Sequence, residues 1–391
     1  MNDILLHVTS EGDFSAMRIE WNALLSSTRN NSVFLTWEWL FSWWQHFKMP
    51  NYSLGVVCAR DRAGNLKGIL PLYLERNGLQ GRGGTLRFLG TGEACSDFLD
   101  IIVEEGCEEE IVPRLLNYSL DMWSSSTWNL TDIPLGSRNL ALLESTLQEK
   151  EIPYSLREGE ICPFLELPDT LEEFMKKLKT NIRSNYKYSL NRINKRSGKI
   201  KKIIGIKEDI QSDLETLFKL HRARFEMKGE ASGFLSEKMM KFHMDVGRMF
   251  KEQGWSRFYT IEAEDKVIGS LYCFVYGGRT YYYQGGFDPK YEFLSIGLVL
   301  LGKGMEDSIE NGIKMFELLR GAEPYKWHWT STYRRTAQVA AYPKNLLGTT
   351  KYRYDRLRWA AIDNLKVMAR RSIDSGIDGK QLVHFSDRSA E

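Results

Sequence analysis

The 391-residue sequence is short of cysteine, of long apolar runs and of net charge, and each shortage excludes something. Its 5 cysteines, at positions 58, 95, 107, 162 and 273, are odd in number and never stand in C-x-x-C spacing. That argues against a disulfide framework or a zinc-thiolate site and fits thiols kept reduced in a cytosol. No apolar run approaches the ~20 residues of a membrane-spanning helix. The amino-terminal MNDILLHVTSEGDF has no basic region ahead of an apolar stretch, so it does not read as a secretory signal. With 53 Lys+Arg against 51 Asp+Glu, bulk charge makes no polyanion binder, and any basic surface must be local. The 6 histidines never fall at i, i+4 around a carboxylate, and no G-x-S-x-G elbow occurs. These absences predict a cytoplasmic protein without a metal.

What the chain has is apolar bulk, with 11 Trp, 18 Tyr and 19 Phe, enough for two ordinary cores. The aromatic segment 33–48 reads as a helix. A hairpin follows, with strands over 52–59 and 67–74 around the polar turn 61–65. Strands near 85–89 and 97–103, a helix over 108–122, a strand near 127–131, a helix near 138–150 and a strand near 154–157 complete the first half. The second half repeats the plan. Helices are expected over 171–196, 209–225 and 237–251, strands over 255–262, 266–276 and 279–284, a helix over 295–310 and a strand over 313–319. The segments Asn65-Leu-Lys-Gly-Ile-Leu-Pro-Leu72 and Lys266-Val-Ile-Gly-Ser-Leu-Tyr272 share a pattern, a polar turn and then Gly among apolar residues. The spacing predicts an α+β fold made of a tandem duplication, joined near 163–170. Each unit would be a mixed, mostly antiparallel sheet flanked by helices, and the two would face each other across a cleft. The units are expected at 1–165 and 166–371, with a polar, loose tail over 372–391.

A helix that follows a loop at a sheet edge exposes unpaired amides, here those of Ile296, Gly297 and Leu298, with Ser295 as the expected N-cap. Those amides and the helix dipole suit a pyrophosphate, and Gly297 lets it come close to the backbone. An ordinary capped helix is the competing reading. Gly297-Leu-Val-Leu-Leu-Gly302-Lys303-Gly304 nearly fits a nucleotide phosphate loop, but Gly304 has no hydroxyl for magnesium and the four intervening residues are apolar. Gly302 and Gly304 read instead as packing positions inside a helix.

Several segments in fixed order carry a family resemblance. They are Tyr281-Tyr-Tyr-Gln-Gly-Gly-Phe-Asp288, Ser295-Ile-Gly297, Gly312-Ile-Lys-Met-Phe-Glu317-Leu-Leu-Arg320-Gly321 and Tyr325-Lys326. In the first half, Trp37, Trp39, Gly68-Ile-Leu-Pro71-Leu72 and Ser96-Asp97-Phe98 fit the same pattern. Together they resemble the acyltransferases grouped with the cellulose-biosynthesis protein CelD, within the GNAT superfamily and related to FemAB-type transferases. The match is best over about 170–330. The resemblance implies two GNAT-like units and an acyl-coenzyme A donor, acetyl-coenzyme A first among them. It places the backbone groups of Tyr283, Gln284 and Gly285 beside the pantetheine arm and Ser295, Ile296, Gly297 and Leu298 on the pyrophosphate. The sequence departs from the GNAT pattern at Glu292-Phe-Leu-Ser-Ile-Gly297, which has one glycine and no basic residue.

Acyl transfer from a thioester needs a base for the acceptor and an acid for the leaving thiolate. Glu317 is the candidate base and Tyr325 the candidate acid. Arg320 and Lys326 are candidates for an anionic substrate, and Asp97 and Asp100 for a polar acceptor. Each has a bland alternative as a solvated, capping or packing residue. The run Tyr325-Lys-Trp-His-Trp329 reads chiefly as packing at a strand end, or else as an aromatic wall for a sugar ring. The segment 176–207 is rich in Lys and Arg and contains no Asp or Glu, a positive stripe that could meet anionic membrane lipid or coenzyme phosphates. The expected activity is N- or O-acylation of a sugar, a polysaccharide precursor or another polar small-molecule or glycan acceptor. A FemAB-like aminoacyl-tRNA-dependent transferase is one alternative, although the second repeat lacks the long inserted helical hairpin those enzymes often carry, and tRNA is not the expected partner. A non-catalytic assembly factor of a polysaccharide machinery is the other.

Overall fold

The computed structural model describes residues 4–76, 83–195, 199–204 and 210–374. The first half runs β1 (Leu5–Val8), α1 (Glu11–Ala16), α2 (Arg18–Ser26), α3 (Trp37–Phe47), β2 (Tyr52–Arg60), β3 (Leu66–Arg76), β4 (Gly84–Phe88), β5 (Ile102–Val103), α4 (Glu108–Met122), β6 (Thr127–Pro134), α5 (Arg138–Glu149) and β7 (Tyr154–Glu166). The second runs α6 (Leu171–Lys177), α7 (Thr180–Lys195), β8 (Lys199–Ile204), α8 (Ile210–Lys228), α9 (Glu237–Glu252), β9 (Ser256–Ala263), β10 (Lys266–Tyr276), β11 (Arg279–Phe287), α10 (Ile296–Glu310), β12 (Met315–Glu317), β13 (Tyr333–Ala341) and α11 (Leu346–Asp374).

The two units repeat one plan, as expected from the hairpin patterns. Hairpin β2–β3 pairs antiparallel with β4, and hairpin β9–β10 with β11. In each unit the third strand then pairs parallel with the strand after a crossing helix: β4 with β6, and β11 with β12. The glycines of the two hairpins do the same work. A Cβ on Gly68 would come within 2.5 Å of Ile111 of α4, and one on Gly269 would collide with Ile296 of α10. Each crossing helix therefore lies directly on its strand. A second repeat marks the entry to α3 and α9. In Ser32-Val-Phe-Leu-Thr36 and Ser232-Gly-Phe-Leu-Ser236, three residues of 3₁₀ helix end at a hydroxyl residue, Thr36 or Ser236, whose oxygen accepts the N–H of Trp39 or Met239.

The two units do not form separate sheets facing each other across a cleft. Both sheets merge into one, in the order β1-β2-β3-β4-β6-β13-β7-β12-β11-β10-β9-β8, with β5 paired to β3. Strand β7 is the seam: residues 154–163 pair with β13, and Phe164, Leu165 and Glu166 pair with β12. Strand β13 comes from the second half yet lies between β6 and β7. Above the seam, α3 and α9 pack on each other through buried rings. Trp39 stands 4.9 Å from Phe242 and 5.6 Å from Tyr283, centroid to centroid, and one apolar core runs across both units.

Three local expectations change. The helix expected over 171–196 is broken, because Leu178 turns to extended ψ and buries its side chain before Thr180 starts α7. The strand expected over 97–103 shrinks to β5, since the carboxylates of Asp97 and Asp100 bind elsewhere and Phe98 adopts φ 59°. The tail beyond residue 374 lies outside the described residues, while 372–374 finish α11. Gly302 and Gly304 sit in mid-helix, where a Cβ on Gly302 would collide with the Tyr186 ring of α7.

Because Gly68 and Gly269 meet a helix in the same way, Gly68→Ala and Gly269→Ala should each destabilise the protein by about 1–3 kcal/mol. Urea unfolding checks this, and a neutral effect at either position would contradict the equivalence.

Candidate active site

Strand β11 sets the site. Thr280 bonds Ser308 of α10 at 2.8 Å, and Tyr282 packs with the α10 cluster, whereas Tyr281 lies 5.8 Å from the Phe34 ring on the other face. The β10–β11 register shifts between Tyr272 and Cys273, which leaves Tyr283 as the extra, bulged residue. Pairing with β12 ends at Tyr281–Glu317. There β12 turns toward β7, with the Leu318 N–H on the Pro163 carbonyl, while β11 continues to Phe287. The strands part, and Gly285 and Gly286 leave the gap without side chains on the β11 side.

A cavity of about 190 Å³ occupies the gap. Its walls include Leu271, Leu298, Leu300 and Leu301, with Arg224 and Ser270 reaching it as well. Neighbouring strand residues face opposite ways, and Ser270 and Leu271 both border it, so the cavity reaches both faces of the sheet. It is smaller than the about 300–1,000 Å³ of sites that enclose a whole drug-sized ligand, which suits a slender arm. The Ser270 hydroxyl is buried there without a hydrogen-bond partner. A buried hydroxyl left unpaired costs about 1–3 kcal/mol, so it favours a ligand that bonds it.

The α10 N-terminus opens onto the same cavity through Gly297 and Leu298. Ser295 is not the expected N-cap. It sits at φ 52°, ψ 46°, and its side chain makes no capping bond. The first-turn amides of Ile296, Gly297 and Leu298 therefore lack intrahelical acceptors and a side-chain cap. A Cβ on Gly297 would meet nothing within 4 Å, so the mouth is open, not plugged. Two arginines flank it. Arg192 donates to the Phe293 carbonyl at 2.7 Å, and Arg224 lies 5.2 Å from the Phe287 ring. The residues present thus fit a thioester arm ending in phosphates, with Ser270 and the open amides as the unfilled groups.

Tyr325 borders the cavity with His328 and Trp329, and its phenol hydrogen-bonds that of Tyr282. Burial pushes both phenols above their ordinary pKa, so both stay protonated at neutral pH. The side chains of several other expected site residues bond within the protein. The Gln284 side chain accepts the Gly285 N–H, and the Tyr283 hydroxyl donates to the Ala94 carbonyl, neither of which touches the backbone role expected of them. Glu317 is fully buried, and its Oε1 is held by Arg279 at 3.1 Å and by Arg334, so it is no free base; its side chain lies away from the cavity. Arg320 binds Asp97 through both its N–H, at 2.7 Å, and its guanidinium, and reaches Asp132 at 2.9 Å. Asp97 is wholly buried, so this pair is a clamp between units and not a substrate contact. Asp100 accepts from Asn30, Ser137 and Asn139, and Lys326, 3% exposed, donates to the carbonyls of Leu319, Arg320 and Gly321.

Sequence reasoning missed Arg224, Ser270 and Tyr282 at the cavity, and it set His328 in a run read chiefly as packing. Tyr282 was open to it through the strand alternation of β11; Arg224 was not, since only packing of α8 brings it there. That packing is close, because a Cβ on Gly286 would lie 2.6 Å from the His221 backbone nitrogen. Among the described residues no group of three His, Cys, Asp or Glu could hold a metal, and no helix is long and apolar enough to cross a membrane.

Two predictions follow from buried charge. Arg320→Met strands the Asp97 carboxylate and should cost about 3–5 kcal/mol in urea unfolding, whereas a substrate-binding role would change KM and leave stability intact. Burial lowers the pKa of His243 to about 3 and of His221 to about 4, below an unfolded value of about 6.5. Between those values the unfolded chain binds more protons, so stability should rise with pH from about 4 to 6.5. Each histidine contributes up to about 1.4 kcal/mol per pH unit. Thermal unfolding across pH 4–7 measures it, and a flat profile would contradict the neutral burial of both.

Comparison with known proteins bears on the same segment. Residues 180–327 match the family model described as an acetyltransferase (GNAT) domain. No curated protein matches the chain. Among solved structures, FemX is similar at a TM-score of 0.59 and 10% identity, over 85% of this chain and 96% of that one. A conserved protein of unknown function from Bacteroides thetaiotaomicron follows at 0.55 and 12%, over 87% and 99%. A tandem GNAT protein from the clavulanic acid biosynthesis pathway gives 0.41 and 12%, over 87% and 98%. The chain has the fold of the first two, and the segment matched by the acetyltransferase family model is the one that builds the cavity and its open helix mouth.

Proposed function

We propose that the protein is an acyltransferase that uses an acyl-coenzyme A, acetyl-coenzyme A first among candidates, with its donor site in the second unit. The observation that carries this is the cavity beside β11 past its last pair with β12, which joins the uncapped α10 mouth on one side and reaches the opposite face of the sheet. The acceptor we favour is an amine or hydroxyl of a sugar or polysaccharide precursor, and the likeness of 281–326 to CelD-type enzymes supports that class.

A bound acyl-coenzyme A supplies an already activated carbonyl. The chain's own groups do the rest. The amides of Ile296, Gly297 and Leu298, with Arg192 and Arg224, hold the phosphates. Leu271, Leu298 and Leu300 exclude water from the arm, and Ser270 is free to orient it. The Tyr325 phenol, kept protonated by burial and aligned by Tyr282, donates toward the leaving sulfur. His328 carries the lining imidazole that can take the acceptor's proton.

The basic stretch 176–207 supports a FemAB-like tRNA-dependent reading less than its composition suggests. Lys176, Lys201 and Lys202 are paired with Glu172, Glu262 and Asp307. Contact of its remaining cations, such as Lys187 and Lys195, with anionic lipid is part of the proposal; Arg196 and Lys207 lie outside the described residues.

Calorimetry with acetyl-coenzyme A tests the reading. Saturable binding is expected, and Gly297→Glu should weaken it tenfold or more, about 1.4 kcal/mol, by setting a carboxylate against the phosphates. Tyr325→Phe should keep that affinity and lower kcat by about 10²-fold. Binding of tRNA alone would favour the aminoacyl-tRNA reading, and binding of neither would favour a non-catalytic assembly factor.

A further inference from the structure

A larger cavity, about 540 Å³, lies where the two units meet, away from the donor site. Five arginines line it: Arg29, Arg138, Arg279, Arg334 and Arg335. They come from four segments of the chain, the turn after α2, the start of α5, the start of β11 and two adjacent positions of β13, and the tertiary fold alone brings them together. Glu108 is the one carboxylate among the lining residues, and one of its oxygens accepts the Gly106 N–H at 2.7 Å.

Within the lining itself, guanidiniums outnumber carboxylates five to one. Arg279 and Arg334 share a single carboxylate oxygen, Oε1 of Glu317. Arg334 also lies 3.8 Å over the Phe164 ring, which holds its guanidinium plane in place. Arg29, Arg138 and Arg335 pair with Glu105, Glu109 and Glu158, each of them more than half exposed and outside the lining. Such exposed pairs hold their partners weakly and yield to an anion enclosed by several guanidiniums. The N-terminus of α5, capped by Ser137, also opens here. Asn139, 7% exposed, gives its amide hydrogens to Asp100 and to the Ile101 carbonyl, while its Oδ1 is buried with no partner. The cavity thus offers guanidiniums for an anion, and one of its lining residues keeps an unused acceptor.

We propose that this arginine-lined cavity is a second ligand site that takes a phosphate-bearing, polyhydroxylated molecule the size of a sugar phosphate. Phosphate is the anion whose several oxygens match forked guanidinium donors, and the unpaired Asn139 oxygen calls for a hydroxyl beside it. From Arg279 to Gly285 along β11 is six residues, or about 20 Å at the rise of a strand. The site therefore does not overlap the donor cavity, and it stands whether or not the acyl-transfer reading holds.

Calorimetry on the full chain, without coenzyme A, tests it with glucose 1-phosphate, inorganic phosphate and glucose. Glucose 1-phosphate should bind, glucose should not, and rising salt should weaken the binding. The double variant Arg138→Ala/Arg335→Ala, whose partner carboxylates are exposed, should weaken it at least tenfold with the thermal midpoint nearly unchanged. Gly297→Glu should leave it intact, which separates this site from the donor site. Inorganic phosphate binding as tightly as the ester would support the phosphate site and assign it to the free ion. No binding of either phosphate, or binding untouched by the double variant or abolished by Gly297→Glu, would overturn the proposal.

Discussion

The structure turns on the place where parallel pairing between β11 and β12 stops, at Tyr281 and Glu317. A sheet normally hides its backbone in hydrogen bonds and its faces under side chains. Here pairing with β12 ends while the chain stays beside β7, and the β11 residues beside the opening include two glycines, so neither covering is complete. The result is a narrow passage through an otherwise sealed sheet. The crossing helix that follows is held against the strand because Gly269 has no side chain, and this brings its uncapped first turn to the passage. Had β12 continued alongside β11 for two more residues, the cavity could not exist. The fold places the proposed donor site by ending a strand early.

Among the described residues, the first unit's counterpart of this opening is occupied. There the chain after β4 folds back, the Leu99 N–H bonds the Asp132 carbonyl, and Arg320 arrives from the second unit to bind Asp97 and Asp132. The first unit's opening is thereby filled by its own loop and by its neighbour's arginine. With β13 inserted beside β7, the two halves are joined by backbone pairing, aromatic packing and a buried ion pair. What remains between them is the arginine-lined cavity, whose walls come from both halves.

Much of this was legible in the residues. The glycine of each hairpin announced the duplication, and Gly302 and Gly304 were correctly read as helix packing because apolar neighbours exclude a solvated loop. The helix mouth at 296–298 was legible too, though its N-cap was not. A serine before a helix usually accepts from the first turn, and only the left-handed backbone at Ser295 withdraws it. The repeated Ser-x-Phe-Leu followed by a hydroxyl residue was a stronger mark of duplication than the hairpins, and it was present in the sequence all along. What sequence could not carry were partners distant in the chain. Asp97 and Arg320 stand 223 residues apart, and Glu317 meets Arg279 and Arg334 only once β13 has crossed to the seam. Charged residues in a motif look like substrate contacts until burial shows them bonded to each other. The arginine-lined cavity was invisible for the same reason, since its guanidiniums come from segments with no common pattern.

The central claim is that an acyl-coenzyme A lies in the parted sheet of the second unit. Amide hydrogen exchange with and without acetyl-coenzyme A tests it most directly. Slowed exchange should concentrate in 282–287 and 296–299, with the first unit's loop 90–101 unchanged. Protection at 90–101, or none at 296–299, would contradict the account.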